Sequence, residues 1–342
     1  MKVAIIGATG YGGLELIRYL LEHPFVEIAS VHSQTETQPI DQVFPHLKEL
    51  LSLTLEPIDY EKIMRETQLV FLATPSGRSK EIALPFIAND FPVIDLSGDF
   101  RLKRKGDYEE WYGAEALHFS AIQHFDYGLA EFRQNPMSKF VANPGCYATA
   151  TELALAPLLS NQLVAVDSLV IDGKSGVSGA GKGLSAASHF ANAHENMSVY
   201  RVNTHQHIPE IVQQCQQWAP DLKSIQFTTS LIPVTRGILI TGYGTLLESI
   251  SSDQLTEKYQ QFYEKKPFIR VQQPGQLPSI KQVAATNFCD IGIAVNPQNN
   301  RVTVVSVIDN LGKGAAGQAV QNLNLYAGFP ETAGLLKVPV YP

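Results

Sequence analysis

The sequence predicts an α/β protein in two parts: a doubly wound domain with a parallel sheet, then an α+β domain with a mixed or antiparallel sheet. Three observations predict it. Short apolar runs alternate with helical stretches through residues 1–145. A glycine-rich turn directly follows the first run. After Cys146 the strands lengthen, grow rich in β-branched residues and are separated by fewer helices.

Residues 2–6 (KVAII) read as a strand buried on both faces. Residues 13–22 place Leu14, Ile17, Leu20 and Leu21 at helical spacing, and His23-Pro24 ends that helix before a second strand, VEIASV. Further strands follow at 69–73, 92–96 and 140–143, with a helical stretch at 77–89. Residues 148–159 read as a helix, then SLVID, GILITGYGTLL and RVTVVSVI as strands. The segment 312–329 reads as a glycine-rich turn opening a terminal helix with Ala316, Val320 and Leu323 on one face. The expected division is residues 1–145 plus 312–342 against 146–311.

Composition excludes several classes. With 342 residues, 44% of them hydrophobic, the chain can bury an extensive core, so disorder is set aside. A net charge of -7 without a basic stripe argues against a nucleic-acid partner. The opening MKVAIIGATG runs straight into Gly and Thr, as a strand and not a signal peptide would, and no apolar run reaches the ~18 residues of a membrane span. Cys146, Cys215 and Cys289 lie far apart with no C-x-x-C spacing, which disfavours disulfides and structural zinc and suits a reducing cytoplasm.

The turn Gly7-Ala8-Thr9-Gly10-Tyr11-Gly12-Gly13 lies between a strand and a helix, where amide N–H groups and the helix dipole hold a pyrophosphate. This points to a Rossmann-type dinucleotide-binding domain; a purely structural glycine turn is the other reading. Ser33, Gln34 and Thr35 follow the second strand, where NAD-specific folds place a carboxylate, so NADP is favoured despite nearby Glu36.

Cys146, within NPGCYATA, stands after a strand and at the start of a helix, a setting that stabilises a nucleophilic thiolate. The alternative is a small core residue, the reading given to Cys215 and Cys289. In HQHIPEIV, His205, His207 and Glu210 open a helix running toward Trp218. His207 and Glu210 are three apart, so a carboxylate-oriented histidine could relay protons for the cysteine. Metal ligation would need a third ligand that nothing nearby supplies. The loops Lys174–Lys182 (KSGVSGAGK) and Ser97–Arg101 (SGDFR) offer glycine-rich backbone and an arginine for anions.

Together, GATGYGG, ATPSG, SGDFRL, NPGCYATA, SGVSGAGK, HQHIPEI, IPVTRGI and DNLGKGAAGQAVQN resemble the N-acetyl-gamma-glutamyl-phosphate reductase family, itself similar to aspartate-semialdehyde dehydrogenases. The resemblance runs over essentially the whole chain. It implies an NADPH-dependent oxidoreductase of arginine biosynthesis that works through a cysteine thioester. Cys146 is then the nucleophile, His207 the acid/base and Glu210 its carboxylate, with His205 the less favoured histidine. It implies cofactor contacts at Gly10, Tyr11, Gly12, Lys313 and Gly314, and Gly7, Thr9, Ser33, Thr35, Ser76, Gly176 and Gly179 are expected on the cofactor side with them. Arg101, Asn143, Ser175 and His205 are the expected substrate contacts; a homodimer or homotetramer and no metal are also expected. Two departures stand out: Ala148 where the family commonly has proline, and Gln206 and Ile208 where Arg and Thr are frequent. They bear on substrate affinity and not on reaction type. The alternatives are the same chemistry on an aspartyl or aminoadipyl phosphate, or a noncatalytic NADP-binding sensor.

Overall fold

Val3, Ala4 and Ile5 are wholly buried and Ile6 nearly so, as a strand covered on both faces requires. This strand, β1 (Lys2–Ile6), pairs in parallel with β2 (Glu27–His32) and β4 (Leu69–Leu72) in the computed structural model, which describes residues 1–117, 119–133 and 137–341. With β3 (Leu55–Glu56), β5 (Val93–Asp95), β6 (Asp126–Tyr127) and β7 (Phe140–Ala142) the sheet order is β3-β2-β1-β4-β5-β7-β6. Every pairing in it is parallel. That is the doubly wound sheet expected from the alternating runs.

This sheet belongs to a unit made of Met1–Gly145 and Ala315–Leu336. Its first helix, Tyr11–Leu20, begins two residues earlier than the spacing predicts and leaves Leu21 outside, exposed. It buries Leu16, Ile17 and Leu20 and packs against the terminal helix Gly317–Ala327. The helical stretch at 77–89 is two helices, Ser79–Ile82 and Leu84–Ala88. Pro85 has no N–H to continue the first helix but fits the first turn of the second.

The terminal helix is buried almost all round, not on the single face that Ala316, Val320 and Leu323 mark. Its polar side chains find partners inside the unit. Asn322 donates to the Gly128 carbonyl at 2.7 Å and to Asn143 Oδ1 at 3.1 Å, and Gln321 donates to Glu131 at 3.0 Å. These bonds make burial of amides tolerable.

The second unit comprises Cys146–Gly314 with Lys337–Pro342. Residues 312–314 and the segment from Lys337 thus lie in this unit, whereas the sequence reading assigns them to the first. The tail is tied there by the Val340 N–H to the Ala284 carbonyl at 3.1 Å. The sheet is mixed. It comprises β8 (Val170–Gly176), β9 (Ser198–Tyr200), β10 (Gln226–Ile232), β11 (Ile238–Thr245), β12 (Ile269–Val271), β13 (Cys289–Asn296) and β14 (Arg301–Ile308), in the order β12-β13-β14-β11-β8-β10-β9. β8 pairs in parallel with β10 but antiparallel with β11, which pairs antiparallel with β14.

Helix Cys146–Ser160 lies on β11 and β14, and Tyr147 through Leu159 are all buried. It continues through Pro157. Without an N–H on Pro157, the Leu153 carbonyl loses its helical donor, and the Tyr263 hydroxyl replaces it at 2.6 Å. Tyr259 donates likewise to the Ala154 carbonyl at 2.7 Å. Tyr263→Phe therefore leaves a buried carbonyl unsatisfied and should cost about 1–3 kcal/mol, read from the urea unfolding midpoint.

Candidate active site

Four glycines of the first turn divide by what they do. Gly7 has φ +87, and a Cβ there would lie 2.5 Å from the Ala73 carbonyl oxygen; a Cβ on Gly13 would lie 2.3 Å from the Gly7 oxygen. Both are demanded by the chain's own packing. Gly10 and Gly12 are not: added Cβ atoms would meet nothing closer than 3.6 Å and 3.9 Å. Gly10 is the N-cap of helix Tyr11–Leu20 and no side chain caps that end. An uncapped helix start with backbone open to close approach fits a pyrophosphate.

At the end of β2 the buried Ser33 hydroxyl accepts the amides of Thr35 and Glu36, both at 3.3 Å, and Thr35 is exposed. The loops after β4 and β5 are fastened by Asp99, which is buried. It accepts from the amides of Gly77 (2.6 Å) and Lys80 (2.9 Å) and from the Tyr108 hydroxyl (2.7 Å). Ser76 adds a bond from the Gly98 amide to its hydroxyl at 2.9 Å. Beneath them Asp95 accepts from Ser97 at 2.7 Å, and burial, then the neighbouring Asp99, pushes its carboxyl up to about 7.

Arg101 and Asn143, both expected at the substrate, have structural partners in this unit. The Arg101 guanidinium donates from Nε to the Asn143 carbonyl and from Nη2 to the Leu96 carbonyl, each at 2.8 Å. Asn143 donates to the Ala315 carbonyl at 3.0 Å and is wholly buried.

In the second unit Cys146 is the first residue of its helix and is partly exposed, whereas Cys215 and Cys289 are wholly buried. Gly314 passes so close that an added Cβ would stand 2.7 Å from Cys146 Cβ. Gly314 lies in the π-helical turn Gly312–Ala316, where the sequence reading expects a glycine-rich turn leading into the terminal helix. Lys313 in that turn is wholly buried, its ammonium 5.9 Å from the Phe268 ring centre.

Tyr147 brings the histidines to the cysteine's helix. Its ring meets His205 edge-on at 5.3 Å and His207 at 6.3 Å, and its hydroxyl donates to the Ser230 carbonyl at 3.2 Å. Gly173 on β8 makes room, since a Cβ there would lie 2.6 Å from the Tyr147 ring. His205 Nδ1 accepts the His207 amide at 3.1 Å, which places its proton on Nε2. Burial, then His207 and Arg201, lower the His205 pKa to about 2. His207 stands at the N-cap position of helix Ile208–Cys215 without a side-chain capping bond, and the first turn holds Pro209 and the wholly buried Glu210.

Lys174–Gly176 are the end of β8 and not a loop; Val177–Ala180 form the turn after it. Ser175 is buried, and Gly179 keeps clear of its hydroxyl, from which a Cβ would stand 2.7 Å away. Gly176 lies against the backbone of Val234 and Thr235 at 2.9 Å from its would-be Cβ. Tyr147, Arg236, Asp309 and Asn310 join this constellation without being singled out by the sequence reading. The sequence signals are their places in NPGCYATA, IPVTRGI and DNLGKGAAGQAVQN, and the position of Asp309-Asn310 directly after the apolar strand β14, where a charged residue needs a reason. Among the described residues no group of three or more His, Cys, Asp or Glu could hold a metal ion, and no helix is long and apolar enough to cross a membrane.

Residues 2–140 match the semialdehyde dehydrogenase NAD binding domain and residues 146–310 the semialdehyde dehydrogenase dimerisation domain. The chain is 53% identical over 343 residues to the N-acetyl-gamma-glutamyl-phosphate reductase of Listeria monocytogenes, and 52% identical over 342 residues to that of Streptococcus gordonii. Each comparison covers 100% of both proteins. The chain belongs to the N-acetyl-gamma-glutamyl-phosphate reductase family. Solved structures share the fold: aspartate semialdehyde dehydrogenase II from Vibrio cholerae has a TM-score of 0.66 at 19% identity, covering 96% of this chain and 98% of that one. The enzyme from Candida albicans, solved with NADP, has a TM-score of 0.63 at 14% identity, covering 95% and 98%.

Two outcomes are expected. Gly314→Ala displaces Cys146 and should lower turnover by about 10²-fold with an unchanged far-ultraviolet CD spectrum. The folded protein keeps a proton on Asp95 that the unfolded chain releases near 3.8, so stability falls as pH rises from 3.8 to about 7. Asp95→Asn should flatten that decline in urea midpoints measured across the range.

Proposed function

We propose that this chain reduces N-acetyl-γ-glutamyl phosphate to N-acetylglutamate semialdehyde and inorganic phosphate, in arginine biosynthesis, with NADPH as reductant and a thioester on Cys146 as intermediate. The observation that carries the reading is Cys146 itself. It is partly exposed at the first helical residue, against a backbone that only glycine allows, in a chain of this family. The NAD binding domain over residues 2–140 makes the cofactor a nicotinamide dinucleotide.

Gly10, Tyr11 and Gly12 would hold the pyrophosphate at the uncapped helix start, with Gly7 and Thr9 shaping the turn. The choice of NADP rests on Ser33 and exposed Thr35 in place of a ribose-binding carboxylate. Ser76, Gly176, Gly179, Lys313 and Gly314 are the remaining cofactor-side assignments, supported by their place in the loops described above. Bound, the nicotinamide supplies the hydride.

The helix start favours the Cys146 thiolate. Its sulfur attacks the acyl carbon, a C–S bond forms, the C–O bond to phosphorus breaks, and phosphate leaves with the bonding pair. After hydride reaches the thioester carbon, the oxyanion is protonated, and the thiohemiacetal collapses as the C–S bond breaks and returns the thiolate. His207 serves as the acid/base, because His205, with a pKa of about 2, stays a neutral imidazole near neutral pH. Glu210, in the first turn of the helix that starts after His207, orients it. Ser175, His205, Arg101 and Asn143 complete the substrate side, the last two by bracing the loops they bond. Three free thiols suit the cytoplasm. Exposed Leu184, Phe190, Met197 and Val199, within the matched dimerisation domain, support a homo-oligomer.

The test is phosphate-dependent NADP reduction with N-acetylglutamate semialdehyde, beside aspartate semialdehyde. Turnover of the acetylated substrate should vanish in Cys146→Ala and fall about 10²–10⁴-fold in His207→Asn. Preference for aspartate semialdehyde, or unchanged turnover in Cys146→Ala, would overturn the reading.

A further inference from the structure

We infer that Asp309 is a positioning residue of the site, orienting Arg236 to receive an anionic group of the substrate while fixing the turn on which Cys146 rests. The inference rests on the reaction proposed above and assigns within it residues to which nothing has yet given a role.

Asp309 is wholly buried, and its carboxylate is fully engaged. Oδ2 accepts from Arg236 Nε at 2.9 Å and from the Ala285 amide at 2.6 Å. Oδ1 accepts from Arg236 Nη2 and from the amides of Leu311 and Gly312, each at 2.9 Å. The fork of two parallel bonds sets the guanidinium plane. The same residue's carbonyl accepts the Gly314 amide at 2.9 Å, and Gly314 is the glycine that lies against Cys146. One residue thus governs the arginine with its side chain and the cysteine's support with its main chain.

Arg236 is held on the wall of Ser175 and the turn after it. Three backbone bonds join its loop to β8's end: Gly176 N–H to the Gly237 carbonyl, Val177 N–H to Val234 and Ser178 N–H to Thr235, at 2.9–3.0 Å. Asn310 locks the junction, accepting the Gly237 amide at 2.7 Å and donating to Ser178 at 2.9 Å. Yet 27% of the Arg236 side chain remains exposed. A merely structural ion pair has no need of so rigid a mounting for a guanidinium that solvent still reaches. Arg101, by contrast, is buried. The guanidinium mounted to meet an oxyanion is Arg236, and the oxyanion is the phosphoryl group or the carboxylate of the substrate.

The experiment is steady-state kinetics in the phosphate-dependent direction on wild type, Arg236→Lys, Asp309→Asn and the double variant, varying phosphate and the semialdehyde separately. Arg236→Lys should raise KM at least about tenfold for one of the two and leave that for NADP unchanged, the size of a lost charge-assisted hydrogen bond. A rise for phosphate identifies the phosphoryl group as the partner, and a rise for the semialdehyde the carboxylate. Asp309→Asn should raise the same KM, and the double variant should be no worse than the worse single one. If Asp309→Asn does not fold, Arg236→Lys decides alone. Folded variants with unchanged KM for both substrates, or with additive losses in kcat and stability only, overturn the inference. Absence of wild-type turnover would sink the proposed reaction instead. Inorganic phosphate or N-acetylglutamate should then still slow alkylation of Cys146 in wild type, and one of the two less so in Arg236→Lys; equal protection by both, or none by either in wild type, refutes the role of Arg236.

Discussion

The contact between Gly314 and Cys146 is the constraint around which the second unit is arranged. With a would-be Cβ only 2.7 Å from Cys146 Cβ, the backbone can pass only as glycine. The approach exists because β14 delivers the chain to Asp309, whose carbonyl and carboxylate bend it into the π-helical turn. It lasts because the helix beginning at Cys146 is buried from Tyr147 to Leu159 on β11 and β14. A thiol on so buried a helix keeps its orientation without loop ordering.

Buried polar residues do most of the holding. Asp99 ties the loop after β4 to the loop after β5, Arg101 ties that loop to β7's end, and Asn322 ties the terminal helix to both Gly128 and Asn143. All but the Asn322–Asn143 bond, which joins two side chains, satisfy backbone groups near the carboxyl ends of parallel strands, the end where such sheets bind ligands. Tyr263 does the same for a helix that Pro157 interrupts. The apolar core sets the layers, while these polar ties set the loop positions to within hydrogen-bond tolerance.

Much of this was legible in the chain. Periodicity marked β1, β2, β4, β5 and β7, and the change after Cys146 marked a different sheet, because burial on one face or two leaves a direct trace in sequence. Cys146 was legible because a strand-to-helix junction puts a thiol at a helix start. Less legible were short β3 and β6, the break before Pro85, and the residues 312–314 and 337–341 that lie in the second unit. Short strands carry too few residues for a period, and unit membership depends on contacts distant in sequence.

The sequence by itself determined the two sheets, the glycine turn at a helix start, the place of Cys146 at another and the family, since each rests on local order along the chain. Only the tertiary structure decided which polar residues are buried ties and which reach solvent. Gly7 and Gly13 answer to their own chain while Gly10 and Gly12 do not; Arg101 is buried on carbonyls while Arg236, held by Asp309, keeps 27% of its side chain exposed. Residue type fixes what a side chain can bond, but which partner stands within hydrogen-bond reach is set by segments far apart in the chain, 194 residues for Asn322 and Gly128.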